Sequence, residues 1–153
     1  MVRDYVTSLY VPAAVTSRAL AGSGFAGARQ LAQWRGRVLK AWPGVGVRHV
    51  EASGGDLPVM GERIGVRAIV GLGALSPDDV EVQAAFGRVD ETDVISAAEH
   101  VVLAVAGEHG DGEWVFEGEI PLARTGPFGY TVRILPKHAA LVAPAELGLV
   151  ASA

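Results

Sequence analysis

The chain predicts a mostly β protein: an antiparallel, immunoglobulin-like β-sandwich preceded by two N-terminal helices. Three observations predict it. From Val45 onward the apolar residues recur with a period near two in five separate stretches, the spacing of half-buried strands, and a sixth stretch is a compact apolar run. No helical stretch separates consecutive strands, which argues against a parallel sheet. Gly and Pro together make 28 of 153 residues, an excess that favours many tight turns and short strands.

The helices come first. Val2, Tyr5, Val6, Leu9 and Tyr10 follow the spacing of one helical face, and Pro12 is expected to end that helix. A second helix is expected to begin near Thr16 or Ser17, either of which can cap it. Its apolar face comprises Leu20, Phe25, Ala28, Leu31, Val38 and Trp42. Gly22 and Gly24 weaken its first turns, and Pro43-Gly44 stops it. The break at Trp42-Pro43-Gly44 also divides the charge. Residues 1–43 carry six basic residues and one acid, a formal +5; the remainder carries seven basic and sixteen acidic residues, a formal −9. A helical piece of this size cannot bury a core alone, so it must dock on something. Residues 1–43 are therefore read as a helical segment that packs on a missing body of protein, and 44–153 as a sandwich domain able to fold by itself.

Six strands follow. Val45, Val47 and His49 alternate with Gly46, Arg48 and Val50; Ile64 to Val70, Val80 to Phe86, Trp114 to Ile120 and Tyr130 to Leu135 alternate in the same way. Val101 to Val105 is a compact apolar run. Turn signals separate them at Ser53-Gly54-Gly55-Asp56, Ser76-Pro77-Asp78-Asp79, Asp90-Glu91-Thr92-Asp93, Gly110-Asp111-Gly112 and Thr125-Gly126-Pro127.

Composition removes several functions. There is no cysteine, hence no disulfide, thiolate zinc site or cysteine nucleophile. A net charge of −4 with dispersed basic residues gives no phosphate-binding patch, so no nucleic-acid partner is expected. No apolar run approaches the ~20 residues that span a bilayer, and the acid Asp4 with no apolar core after it excludes a signal peptide. A soluble cytoplasmic protein with no membrane partner is the expectation.

The candidate chemistry is thin. His49, His100, His109 and His138 show no ligand-pair spacing, so no metal site is expected. There is no G-x-S-x-G elbow. Asp78-Asp79 and Glu117/Glu119 read as a solvated turn and a solvated strand face. The two lysines, Lys40 and Lys137, lie in no phosphate-cradling setting suited to a Schiff base. No catalytic residue and no cofactor-binding residue is assigned. Trp114 and Tyr130, read as the aromatics of a final hairpin, could form a sugar platform with Phe116 and Phe128. Alternation with Phe116 and Ile120, and with Val132 and Ile134, favours core packing, where removal costs about 3–5 kcal/mol.

Two runs carry a resemblance: Thr125-Gly126-Pro127-Phe128-Gly129-Tyr130-Thr131-Val132-Arg133-Ile134-Leu135-Pro136-Lys137-His138, and Pro144-Ala145-Glu146-Leu147-Gly148-Leu149-Val150. They resemble the extreme C-terminus of bacterial α-glucan (glycogen/maltodextrin) phosphorylases of the actinobacterial type. Met1 to Tyr5, Leu9 to Ala13, Ala28 to Trp34 and Ala41 to Pro43 resemble the end of that family's catalytic core. Leu75 to Gln83 with Gly87 to Asp90 resemble its appended sandwich. The likeness covers the whole chain but only the tail of a several-fold longer family. It implies a parent that transfers glucosyl units from α-1,4-glucan to phosphate with pyridoxal phosphate, whose catalytic and cofactor residues lie outside this sequence. The partners implied are the missing catalytic core and α-glucan. The expected role is that of a non-catalytic fragment, structural or glucan-positioning. The rival is a free-standing module that binds glucan or a protein.

Overall fold

The computed structural model describes residues 11–53, 61–92, 94–122 and 126–153, with side chains from Phe25 onward. The expected first helix, the Leu20 side chain and most of the Ser53–Asp56 turn lie outside the described residues.

One helix is described, α1, Val11–Ala41. It begins before Thr16 and Ser17, because Pro12 falls in its first turn, where a missing N–H leaves no bond unmade. At 31 residues it is about 46 Å long. Phe25 interrupts the right-handed run with φ at +65°. A 3-10 turn, Trp42–Gly44, closes α1 and accepts the Val45 N–H on the Trp42 carbonyl at 2.9 Å.

Eight strands follow: β1 Gly46–Ser53, β2 Arg63–Gly71, β3 Val80–Val89, β4 Ile95–Val102, β5 Ala104–Gly110, β6 Glu113–Pro121, β7 Phe128–Pro136 and β8 Ala151–Ser152. They form two antiparallel four-stranded sheets, in the orders β1-β2-β6-β5 and β4-β3-β7-β8. Alternation builds the core as the sequence leads one to expect. Val66, Ala68, Val70, Phe116 and Ile120 of one sheet are buried in one cluster with Val80, Val82, Ala84, Phe86, Val132 and Ile134 of the other. Outward-facing residues pair across strands in water: Arg67 with Glu117 at 3.4 Å, Arg63 with Glu119 at 3.0 Å. Exposed pairs of this kind contribute about 0.2–1 kcal/mol, so the core carries the fold.

Three expectations change. The run Val101 to Val105 is not one strand: the chain leaves the second sheet after Val102 and enters the first at Ala104. Leu103 is the pivot. It is buried, its N–H bonds the Val82 carbonyl at 2.8 Å, and its side chain fills the space that a Cβ on Gly118 would occupy. Second, β6 and β7 do not form a hairpin, because β6 lies in the first sheet and β7 in the second. Third, Phe25 leaves the buried helical face and is 61% exposed, whereas Trp34 joins the core.

Candidate functional site at the helix–sheet junction

Helix α1 meets the sheets through its last turns. Trp34, Val38 and Trp42 recur at four-residue spacing, which puts them on one face, and all three join the sheets' core. Leu31 and Ala41 pack beside them. One buried carboxylate fixes this contact. The segment Ser76-Pro77-Asp78-Asp79 makes a 3-10 turn leading into β3. The Asp79 carboxylate accepts the Ser76 backbone N–H at 3.1 Å and its hydroxyl at 3.0 Å through Oδ2. Through Oδ1 it accepts the Trp34 indole N–H at 2.8 Å and the Arg37 guanidinium at 2.7 Å. Its own carbonyl accepts the Lys137 N–H at 2.8 Å. His138 completes the junction. Its ring centre lies 4.6 Å from that of Trp34, and its Nδ1 accepts the Ala140 N–H at 3.1 Å.

Burial alone pushes the Asp79 carboxyl pKa up. The hydrogen bonds from Ser76, Trp34 and Arg37 outweigh it, and the pKa lies below the usual carboxylate value. Asp79 is therefore ionised and fully partnered. The solvated-turn reading fails for it. The signal was present in the sequence, since Ser followed by an acid three residues later is the pattern of a capping box.

At the junction these groups bond to one another, and the Asp79 carboxylate ties α1 to the turn before β3. Trp114 and Tyr130 are each half-buried against the core, on β6 and β7 of different sheets. Among the described residues no group of three or more His, Asp or Glu could hold a metal. His49 faces Glu51 on an exposed strand at 3.6 Å, and His138 is engaged with Trp34. Lys40 and Lys137 are exposed on the end of α1 and just after β7. A shallow depression lined by Arg88, Asp90, Thr92, Ser96 and Pro127 surrounds the β3–β4 turn. There Asp90 accepts the Thr92 hydroxyl and N–H and the Val94 N–H, which lower its carboxyl pKa and close the turn. Among the described residues no helix is long and apolar enough to cross a membrane.

Residues 42–153 match the family described as the glycogen phosphorylase C-terminal domain. The chain is 44% identical over 151 residues to glycogen phosphorylases of Mycobacterium tuberculosis and Mycobacterium bovis, covering 98% of this chain and 18% of theirs. It is 28% identical over 153 residues to a maltodextrin phosphorylase of Thermococcus litoralis, covering 17% of that protein. The chain thus spans less than a fifth of the length of these relatives. No solved structure matches it.

Proposed function

Since the chain belongs to the glycogen phosphorylase C-terminal domain family, we propose that it is the non-catalytic tail of a cytoplasmic α-glucan phosphorylase, with a structural or glucan-positioning role. The parent reaction is phosphorolysis of α-1,4-glucan to glucose 1-phosphate, and the partner is the catalytic core that the relatives carry in their other four-fifths. The observation that carries this reading is coverage: nearly all of this chain aligns with only 18% of a glycogen phosphorylase. The residues present do not fit pyridoxal phosphate. A Schiff base needs a lysine in a pocket with anion-binding groups around the phosphate, and Lys40 and Lys137 are both exposed. The cofactor is assigned to the catalytic core.

The domain reading is retained with one adjustment. Residues 1–43 are the end of the core and 44–153 the appendage, but the appendage's hydrophobic core reaches back to Trp34. An immunoglobulin-like topology is supported by strand order: β1-β2-β6-β5 and β4-β3-β7-β8 correspond to A-B-E-D and C′-C-F-G of that fold. Assay of the purified chain with maltodextrin and phosphate tests the proposal. No glucose 1-phosphate and no pyridoxal absorbance are expected; turnover that Lys40→Ala or Lys137→Ala abolishes would overturn it.

A further inference from the structure

Among the described residues, one face of helix α1 packs on the sheets and the opposite face is exposed. Opposite Trp34 lie Ala32, Gly36 and Leu39, which fall within about 60° of one another at roughly 100° per residue, with Phe25 beyond them at the break in the right-handed run. Phe25 is 61% exposed and Leu39 46%. Nothing lies within 4 Å of a Cβ placed on Gly36, so the strip is open between its two bulky ends. Large apolar side chains at both ends of a small-residue floor make a groove into which another element can seat closely. Arg29, Arg35 and Lys40 are exposed along the strip. From Val11 to Ala41 there is no acidic residue at all.

Charge argues against a second copy seated helix on helix. A second copy of the same helix would set these cations against their own kind, which is destabilising. An apolar ridge edged with carboxylates is complementary to the strip. The relatives supply the length of chain from which such a ridge could come, since more than four-fifths of each lies outside the matched region. We infer that the outward strip Phe25-Ala32-Gly36-Leu39 seats the remaining phosphorylase polypeptide, through an apolar ridge flanked by acidic side chains. This rests on the reading of the chain as a phosphorylase tail. It makes α1 a two-sided bridge, clasped to the sheets through Asp79 on one face and to the catalytic core on the other.

The test is hydroxyl-radical footprinting of Phe25 and Leu39 in two settings. One is the 153-residue chain alone; the other is the full-length Mycobacterium tuberculosis glycogen phosphorylase with its matched C-terminal segment replaced by this chain. Both residues should label strongly in the chain alone, and both should lose that labelling in an active hybrid. Leu39→Asp, at an exposed site, should leave the isolated chain's melt unchanged and split the hybrid's melt in two. An active hybrid in which Phe25 and Leu39 label as before overturns the docking and leaves the tail reading standing. A hybrid without phosphorolysis overturns the tail reading and the docking with it. Protection that appears in the isolated chain as its concentration rises assigns the strip to a second copy and overturns the proposal.

Discussion

Replacing Asp79 by Ala removes the acceptor for four donors at once, and its cost can be built from the structure. The Trp34 indole N–H lies in a residue only 6% exposed. Left without a partner there, it costs about 1–3 kcal/mol. Losing the carboxylate that holds the Ser76 turn adds about 1 kcal/mol, as for other caps. The Arg37 contribution is small, about 0.2–1 kcal/mol, because that side chain is 58% exposed and screened by water. The sum is about 2–5 kcal/mol. Against a domain stability of ~5–15 kcal/mol this leaves a folded protein that can be measured. Urea unfolding followed by tryptophan fluorescence gives the difference. Trp34→Phe in the same background should recover about 1 kcal/mol or more relative to additivity, since it removes the orphaned donor. Acid provides a second readout. The folded pKa of Asp79 is depressed, so its stabilisation is present above the unfolded value of about 4 and is lost as pH falls through the folded value. Below about pH 4 the native chain should therefore lose stability faster than Asp79→Ala. A loss under about 0.5 kcal/mol at neutral pH, or a double variant additive within that range, would refute the clasp.

Two further outcomes are expected. A chain beginning at residue 44 lacks Trp34, Val38 and Trp42, all members of the shared core. By calorimetry its melt should fall well below that of the whole chain, because emptying even one large core site costs about 3–5 kcal/mol. Trp114→Ala and Tyr130→Ala remove half-buried rings, so each should cost about 2–3 kcal/mol, less than a fully buried aromatic. Lost stability with unchanged retardation on a glycogen gel is the outcome expected of core residues. An unchanged melt with lost retardation would instead make the two aromatics a glucan platform.

Much of the fold was legible. The stretches at Val45–Val50, Ile64–Val70, Val80–Phe86, Trp114–Ile120 and Tyr130–Leu135 form strands, because one face of each meets the core and period-two alternation records that; in β1 a bulge between Val47 and His49 breaks the phase, so His49 is exposed and Val50 packs on the core. The Val101–Val105 run was misjudged because an unbroken apolar run carries no phase: it does not show that Leu103 alone turns inward while Val102 is 56% exposed. Strand β8 escaped notice because two residues hold no period. Asp79 was misplaced for a different reason. A capping pattern is visible over four residues, but its donors from Trp34 and Arg37 come from 45 and 42 positions away.

The sequence by itself determined five of the eight strands, the helix stop at Pro43-Gly44 and the division of charge between helix and sheets. Each of these is written in neighbouring residues, where hydrophobic period and turn chemistry act locally. Tertiary structure alone decided that Trp114 and Tyr130 belong to opposite sheets, that Leu103 switches the chain between sheets, and that Phe25 points to water while Trp34 points inward. Those outcomes depend on which surfaces compete for the same buried space, and that competition is between segments far apart in the chain.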